Sequence, residues 1–358
     1  MRNVLYLGWI GFNNLGDEWM WEMFRDMAAV ELDPAEYRII PSLPSVDWKN
    51  VAAYDSVVLG GGSLIIPGYV ELLHRAMELG KRTIIWGSGH DRLNRLLPGE
   101  GEAVVSDAAV ESDDYRRKLD EIVAYSGYKG VRGPWTLRYL NELGVRTEGV
   151  ELSGDSAMLM AAPAPLPEAA AGAMTPQAPV RRIGINWGTS YNRIYGGSEA
   201  YVEDALAEAA KALIAQGRDI YLYSVWGPDR EALQRLHAKI GMPEKTVLDT
   251  NVYGAEQYVR LLQTFEATLN FKLHANLLSA VAGVPFGCIG YRFKSFDLLY
   301  GLGLPERIVA ADDPKLAARL TELALVSPQE RVRLAAVLAA KKRETHESLV
   351  RPFRERLL

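Results

Sequence analysis

The sequence predicts an α/β fold made of two Rossmann-like domains, each with a parallel sheet and helices on both faces. The chain of 358 residues is too long for one compact core and suits two domains. Short apolar segments alternate with segments of helical periodicity in both halves, which is the pattern of parallel α/β domains. Between the halves, residues 161–181 are rich in alanine and proline and lack periodicity, which indicates a linker or loop.

Composition and charge exclude several classes of function. A net charge of −5 and a pI near 5.7 argue against a nucleic-acid partner, which would need a basic surface. The single cysteine, Cys288, excludes an internal disulfide, and the sequence has no HExxH or Asp-x-Asp motif, so we predict no metal site. No apolar run approaches the ~18 residues of a membrane span, and no signal-peptide cleavage pattern follows the first strand. We therefore expect a cytoplasmic protein.

The first domain, residues 1–160, is predicted from repeated alternation of strand and helix. Each strand is a short β-prone run, and each helix carries apolar residues three and four positions apart. Glycine-rich or polar loops follow the strands, at the sheet edge where open α/β sheets bind ligands. The predicted strands are RNVLYL, YRII, DSVVLGGGS, KRTIIWGSG and the start of KGVRGPW, and the predicted helices are EWMWEMFRDMAAVE, YVELLHRAMELG, YRRKLDEIVAYS and the end of GPWTLRYLNELGV.

The second domain, residues 182–326, repeats this alternation. The tail, residues 327–358, has a charged helical pattern that Pro352 is expected to interrupt. Two α/β domains followed by a C-terminal helix predict a glycosyltransferase-B-like architecture, in which the cleft between the domains is the default ligand site. The predicted strands are RRIGINWG, RDIYLYSVWG, KTVLD, ATLNFK and PFGCIGY, and the predicted helices are EAYVEDALAEAAKALIAQG, DREALQRLHAKIG, AEQYVRLLQTF and LHANLLSAVAGV.

The corner GWIGFNNLGDE, which joins the first strand to the first helix, combines three glycines with two acids. A glycine-rich turn at a helix start usually binds phosphate, because backbone N–H groups and the helix dipole attract anions. Here Asp17 and Glu18 open the helix and would repel a phosphate. The residues of the corner by themselves leave its ligand open.

Three further loops carry residues suited to a ligand. Gly60 to Ser63 follow an apolar strand; the alternative is a tight turn, and the Lys-Ser/Thr of a P-loop is missing. The loop NWGTSYNR, which begins with Asn186, offers polar donors suited to sugar hydroxyls. GSGHD places His90 in a loop at the sheet edge. For both of these loops an ordinary connection is an equal alternative.

Cations follow strands in both domains. Arg132 lies between a short strand and a helix, where a guanidinium can bind a carboxylate or phosphate, although a lone arginine is more often solvated. In the second domain, His274 opens an apolar helix two residues after Lys272, and Arg292 and Lys294 follow the next strand. The intervening helix would bring these groups to one sheet edge. They predict an anion site able to hold a phosphate and a carboxylate.

Five motifs, taken in order, resemble the polysaccharide pyruvyl transferase family from Leu5 to Lys294. They are GWIGFNNLGDE, VVLGGGSL, GVRGPWTLRYLNELGV, SGDSAML and FKLHANLLSAVAGVPFGCIGY followed by RFK. Members of this family are similar to glycosyltransferase-B enzymes in fold. They transfer pyruvate from phosphoenolpyruvate to two hydroxyls of a sugar, leaving a cyclic ketal and free phosphate. The resemblance implies phosphoenolpyruvate as donor, a sugar or lipid-linked saccharide as acceptor, and no cofactor.

The resemblance also implies donor-side roles. Arg132, His274 and Lys294 match the family's donor cations, with Lys272 and Arg292 beside them. His274 would be the general acid towards the methylene carbon of phosphoenolpyruvate, because a neighbouring anion raises the pKa of an imidazole. Arg132 would be catalytic by stabilising the departing phosphate. Lys272 stands where members usually have arginine.

On the acceptor side, the resemblance implies a neutral sugar at the acid-bearing corner. Asp17, or Glu18, would accept a proton from the attacking hydroxyl. The chain departs from the family pattern at Ser156, where a proline is expected, and at Asn186-Trp187, where the strand commonly ends in arginine. The predicted acceptor-binding residues are Asn13, Asn14, Asp17, Glu18, Gly61, Gly62, Ser63 and Asn186.

Two other functions stay open from the sequence. A glycosyltransferase with a nucleotide-sugar donor could use the same fold and cations, and a sugar-binding relative could have lost catalysis. The basic tail adds a further question. Its cations could hold the protein at anionic lipid near a lipid-linked acceptor, or the tail could pack back onto the first domain, which its short apolar face favours.

Overall fold

The computed structural model describes residues 1–12, 14–91, 111–164, 181–195 and 198–358. The chain divides into two compact units. The first unit consists of Met1–Met160, Phe296–Gly303 and Ala340–Leu358, and the second consists of Ala161–Ser295 and Leu304–Ala339. The first unit therefore includes two segments that are far from its other residues in the sequence.

Parallel strands form the sheet of the first unit. They are β1 (Arg2–Leu7), β2 (Tyr37–Pro41), β3 (Ser56–Leu59), β4 (Arg82–Ser88), β5 (Tyr128–Val131) and β6 (Glu151–Leu152). Their order is β2-β1-β3-β4-β5-β6, so the direction of winding reverses between β1 and β3. Ligands of open α/β sheets bind beyond the carboxyl ends of the strands at such a reversal.

The helices of this part of the chain start at recognisable signals. The Asn14 side chain accepts a hydrogen bond from the Gly16 N–H at 3.3 Å, so the first helix begins three residues earlier than predicted. Pro67 and Pro134 occupy the first position of their helices, where the missing N–H costs nothing. The helices are α1 (Leu15–Glu31), α2 (Pro67–Glu78), α3 (Asp113–Tyr125) and α4 (Pro134–Glu142).

The sheet of the second unit is also parallel. Its strands are β7 (Arg182–Asn186), β8 (Asp219–Tyr223), β9 (Thr246–Asp249), β10 (Ala267–Asn270), β11 (Phe286–Gly290) and β12 (Ile308–Ala310). Their order is β12-β11-β10-β7-β8-β9, so this sheet reverses between β7 and β10. The β-branched and leucine side chains of these strands form the core with the helices that cover them.

The remaining helices complete the fold. They are α5 (Glu199–Ala215), α6 (Arg230–Ile240), α7 (Ala255–Leu262), α8 (Leu273–Ala282), α9 (Phe293–Gly301), α10 (Leu316–Ala324) and α11 (Pro328–Arg354). The sequence analysis did not identify β6, β12, α9 or α10. For α9 the signal was present, because Phe293, Phe296 and Leu299 recur at a spacing of three.

The end of α11 packs into the core of the first unit. The Phe353 ring lies 5.1 Å from Phe24 and 6.2 Å from Trp86 between ring centroids, and the Trp86 indole N–H donates to the Leu349 carbonyl at 2.8 Å. The expected interruption at Pro352 is wrong, since α11 continues to Arg354. Proline is tolerated here because the helix ends two residues later and loses a single backbone hydrogen bond. Among the described helices, we find none with the length and apolarity needed to cross a membrane.

Candidate active site

The acid-bearing corner follows β1, at the reversal of the first sheet. Gly11 has a φ of +86°, and its N–H donates to Glu18 Oε1 at 2.6 Å. Glu18 therefore closes the turn, and Asn14 caps α1, while Asp17 is partly buried in the first turn of the helix. Asn13, a predicted acceptor residue, lies outside the described residues.

The glycine loop after β3 contacts this corner. A Cβ atom on Gly62 would lie 3.2 Å from Asp17 Oδ1, and one on Gly61 would lie 2.4 Å from Ser156 Oγ. The Gly61 N–H donates to the Tyr6 hydroxyl at 3.2 Å. Because Gly61 and Gly62 have no side chains, the loops that follow β1, β3 and β6 can come into close contact. The structure brings the predicted residues Asp17, Gly61 and Gly62 together at one sheet edge.

Arg132 is buried beside this loop rather than solvated, with an exposed fraction of 1%. Its Nε donates to Asp297 Oδ2 at 2.9 Å, Nη1 donates to Ser63 Oγ at 3.1 Å, and Nη2 donates to the His90 carbonyl at 2.9 Å. The guanidinium lies against Gly89, where a Cβ atom would be 2.4 Å from it. Arg132 therefore links the loops after β3 and β4 to α9, and its predicted contact with the donor stays a prediction.

Asp297 and Asp155 are buried acids that the sequence analysis did not select. Asp297 also accepts a hydrogen bond from the Thr136 N–H at 3.0 Å. Thr136 lies in the first turn of α4, and Arg132 precedes this helix by two residues. Burial raises the pKa of Asp155, against the lowering effect of the Arg132 charge. Among the described residues, Asp155 Oδ2 and Ser156 Oγ are buried with no hydrogen-bond partner. The motif SGDSAML was the available signal for this pair.

The cation cluster of the second unit, which consists of His274, Arg292 and Lys294, follows two neighbouring strands. His274 is the second residue of α8, after β10, and Lys294 is the second residue of α9, after β11. These two strands are hydrogen-bonded neighbours. Arg292, which is partly buried, directly precedes α9, and Lys294 Nζ lies 5.9 Å from the Tyr291 ring centroid. The positive ends of two helix dipoles reinforce these cations, and the arrangement can hold an anion.

The charge of Lys272 is paired with an acid of the same unit. Its Nζ lies 3.1 Å from Asp229 Oδ1, donates to the Thr189 carbonyl and lies 5.0 Å from the Trp226 ring centroid. Burial raises the pKa of Asp229 to about 6, against the lowering effect of Lys272. Among the described residues, Asp229 Oδ2 is buried without a hydrogen-bond partner. Lys272 is thus held by an acid that the sequence analysis missed.

Asn186 belongs to the second unit, whereas the other predicted acceptor residues belong to the first. It is fully buried. Its Oδ1 accepts from the Lys272 N–H at 3.0 Å, and its Nδ2 donates to the Tyr223 carbonyl at 3.1 Å. These bonds make Asn186 a support for the residue before α8. Its predicted contact with a sugar stays a prediction.

The polar loop after β7 is held by Glu199. The carboxylate accepts from the Asn192 N–H at 2.9 Å and from Thr189 Oγ1 at 3.0 Å, and also from the Ser190 N–H. Burial raises the pKa of Glu199, but these hydrogen bonds outweigh burial and lower it overall. The donors suited to sugar hydroxyls are therefore largely engaged within the loop. In the described parts of the chain, no three acids, histidines or cysteines gather as a metal site would require.

A comparison with models of known protein families identifies the family of this chain. The model of the family described as polysaccharide pyruvyl transferase matches residues 14–292, well over half of the sequence. The protein belongs to the polysaccharide pyruvyl transferase family. The match includes the second half of the acid-bearing corner, from Asn14 to Glu18, together with the glycine loop, Arg132 and His274. It ends at Arg292, two residues before Lys294. A search of curated proteins gave no match.

Solved structures similar to this pyruvyl transferase family member support its predicted fold class. S. aureus MnaA in a structure with UDP has 9% identity and a TM-score of 0.61, covering 100% of this chain and 98% of its own. A UDP-glucosyltransferase from Polygonum tinctorium has 12% identity and a TM-score of 0.57, covering 99% and 98%. The spinosyn rhamnosyltransferase SpnG has 13% identity and a TM-score of 0.52, covering 99% and 100%. At these identities the likeness concerns the glycosyltransferase-B fold alone.

Proposed function

We propose that this protein transfers pyruvate from phosphoenolpyruvate to a saccharide, forming a pyruvate ketal and releasing phosphate. The observation that carries the proposal is the cation cluster of the second unit. His274 and Lys294 stand in the first turns of two helices that follow neighbouring strands, with Arg292 between them in the sequence. Phosphoenolpyruvate is a compact anion with a phosphate and a carboxylate, and such a cluster matches its charge. Family membership supports the same reaction class.

The donor chemistry needs a proton before a new bond can form. His274, protonated beside the donor anion, gives its proton to the methylene carbon, so the double bond is lost and the central carbon becomes electrophilic. Lys294 and Arg292 bind the phosphate and carboxylate and stabilise negative charge on the leaving phosphate. Arg132 positions Ser63 and the loop after β4 through its buried hydrogen bonds.

The acceptor chemistry belongs to the acid-bearing corner. Asp17 accepts the proton of the first sugar hydroxyl as its oxygen bonds to the central carbon. The second hydroxyl of the same sugar then displaces phosphate from that carbon, and its proton leaves with the phosphate. Each hydroxyl loses one proton, the donor gains one, and the product is a cyclic ketal. Glu18 and Asn14 hold the corner through their backbone hydrogen bonds.

The reaction is tested with purified protein, phosphoenolpyruvate and a panel of hexose and amino-sugar saccharides. We expect phosphate release that depends on a saccharide, and a saccharide product whose mass matches an added pyruvate ketal. Lys294→Ala should reduce turnover by about 100-fold, the scale of one charge-stabilising group. The matched control is Lys211→Ala, an exposed lysine of the same unit. Release of nucleoside diphosphate from a nucleotide sugar would instead identify a glycosyltransferase. Saccharide binding without any product would identify a non-catalytic relative.

A further inference from the structure

The helix α9 carries residues of both units. Its residues 293–295 belong to the second unit, and its residues 296–301 belong to the first. Lys294 of the cation cluster therefore precedes Asp297, the buried partner of Arg132, by three residues on one continuous helix. Three residues rise about 4.5 Å along a helix axis, and backbone hydrogen bonds join successive turns. A constraint on Asp297 is thus transmitted to Lys294 within a single turn.

Asp297 is held by Arg132, which follows β5, and by Thr136, in the first turn of α4. Its Oδ2 accepts from Arg132 Nε at 2.9 Å and from Thr136 Oγ1 at 2.8 Å, and its Oδ1 accepts from the Thr136 N–H at 3.0 Å. The Asp297 and Arg132 side chains are fully buried. Charge-assisted hydrogen bonds to both oxygens fix the orientation of a carboxylate. This carboxylate therefore attaches α9 to the start of α4.

The rest of α9 packs against the same part of the first unit. The Trp135 and Phe296 rings are stacked, with centroids 4.8 Å apart and an interplanar angle of 9°. A Cβ atom on Gly133 would clash with the Asp297 carbonyl oxygen, and one on Gly301 would lie 3.5 Å from the Gly133 Cα. The two backbones approach this closely because both positions are glycine. The first unit therefore sets the position of α9 from Phe296 to Gly301.

Arg132 is poorly placed to bind the donor itself. Its side chain is fully buried, and each nitrogen atom of its guanidinium donates a hydrogen bond within the protein, to Asp297, Ser63 or the His90 carbonyl. A group without solvent exposure influences a ligand through the residues that it holds. Among these partners, Asp297 shares a helix with Lys294. Arg132 can therefore act on the donor anion through Asp297 and α9.

We propose that Asp297, held by Arg132 and Thr136, is a positioning residue that places Lys294 against the donor anion. The inference rests on the proposed function and deepens it, because donor affinity then depends on a buried carboxylate that does not touch the donor. The N–H groups of an ammonium interact strongly with an anion at about 2.7–2.9 Å, so a small displacement of α9 costs affinity. A carboxylate with a structural role alone would change the stability of the protein and not the contribution of Lys294.

A double-mutant cycle tests the proposal, because two residues that act through one another have effects that do not add. The affinity for phosphoenolpyruvate is measured by calorimetry at a temperature at which each variant is folded. We expect Asp297→Asn to weaken binding by about tenfold in the wild-type background and by less than about twofold in the Lys294→Ala background. His274 and Arg292 remain in that background, so binding of the anion stays measurable.

A milder substitution and two controls accompany the cycle. Thr136→Val removes the hydroxyl that donates to Asp297 and leaves both buried charges in place, so it gives the answer if Asp297→Asn does not fold. Its effect on affinity should likewise vanish in the Lys294→Ala background. Thr136→Ser keeps the hydroxyl and should retain wild-type affinity. Thr147→Val, which removes a hydroxyl that donates to Asn141 Oδ1 at 2.7 Å in the same unit, should also bind as the wild type does.

Two results would overturn the inference: Asp297→Asn and Thr136→Val bind phosphoenolpyruvate as tightly as the wild type, or they weaken binding by the same factor with and without Lys294. The proposed function is read separately, from saccharide-dependent phosphate release. Effects that depend on Lys294, without phosphate release, would leave Asp297 as a positioning residue and refute the reaction. Phosphate release with additive effects on affinity would do the opposite. Absence of phosphoenolpyruvate binding by the wild type would refute both.

Discussion

At the scale of single residues, paired charges organise the candidate site. Asp297 accepts hydrogen bonds from Arg132 Nε at 2.9 Å and from Thr136 Oγ1 at 2.8 Å, and both charged side chains are fully buried. Lys272 and Asp229 form the corresponding pair in the second unit. A buried charge without its partner is costly, so each acid offsets the cost of burying its cation and holds that cation in position.

We expect Asp297→Asn to lower the free energy of unfolding by about 3–5 kcal/mol, because it leaves the buried Arg132 guanidinium without its counter-charge. Urea unfolding followed by fluorescence measures this loss. The matched control is Asp113→Asn in the same unit, whose carboxylate is fully exposed and whose pair with Arg116 is long. A loss within the ~1 kcal/mol of an exposed ion pair would refute the structural role of Asp297.

The raised pKa of Asp229 leads to a second prediction, which concerns how stability depends on pH. Its pKa in the folded protein is about 6, above that of an unfolded aspartate, so the folded state binds the proton more tightly. Stability from this group is therefore present below about pH 4 and is lost as the pH rises through 6. We expect the urea midpoint of Asp229→Asn to rise relative to that of the wild type between pH 4 and pH 7. A difference between the two urea midpoints that stays constant with pH would contradict the raised pKa. The control variant is Asp312→Asn, which changes an exposed acid of the same unit.

At the scale of elements, the C-terminal part of α11, from Ala340 onwards, belongs to the first unit. Its apolar residues Leu349 and Phe353 belong to the core of that unit, together with Tyr6, Phe24 and Trp86. Two arginines of this part of the helix, Arg351 and Arg354, are paired with acids of the same unit. Arg354 donates to Glu31 at 2.9 Å, and Arg351 forms ion pairs with Glu151 and Glu355. Cations engaged in this way contribute little attraction to a lipid surface.

We accordingly expect no binding to anionic phosphatidylserine vesicles, even at low salt, in a co-sedimentation assay. Reversing the charges of Arg351, Arg354 and Arg356 to glutamate should leave vesicle binding absent and lower the thermal midpoint, because three ion pairs become repulsive. Arg343→Glu, which changes the same charge elsewhere on α11, serves as the control. Vesicle binding by the wild type that the reversal abolishes would instead support a membrane role for the tail.

At the scale of the whole molecule, the two sheets offer separate sets of groups. The first unit provides the acid-bearing corner and the glycine loop at the reversal of its sheet, and the second unit provides the cation cluster. Under the proposed function, these sets serve acceptor and donor respectively. A substitution in one set should therefore affect one substrate more than the other.

We expect Asp17→Asn to reduce turnover by about 100-fold, as loss of a general base does. Binding of phosphoenolpyruvate, measured by calorimetry, should be unchanged or tighter, since a negative charge is removed. Asp26→Asn, an exposed acid on the same helix, should behave as the wild type. A large loss of phosphoenolpyruvate affinity in Asp17→Asn would place Asp17 with the donor and contradict the division of roles.

Much of this molecule can be predicted from local sequence. Strands such as RNVLYL and helices such as LHANLLSAVAGV are specified by short-range propensity and periodicity, so their residues match β1 and α8 closely. The loops at the carboxyl ends of the strands follow from the alternation, and the ordered motifs indicated the family. β6, β12, α9 and α10 were not predicted because they are short, at two, three, nine and nine residues, and short segments carry little periodicity.

Other properties depend on residues that are distant in the sequence, so only the tertiary structure decides them. Arg132 and Asp297 are 165 positions apart, and no local pattern pairs them or indicates that the guanidinium is buried. The same holds for the pairing of Lys272 with Asp229. The sequence by itself determined which residue types stand at the sheet edges. The order of the strands and the packing between them decided which of those residues meet, because strand order and side-chain burial are set by long-range contacts and not by neighbours along the chain.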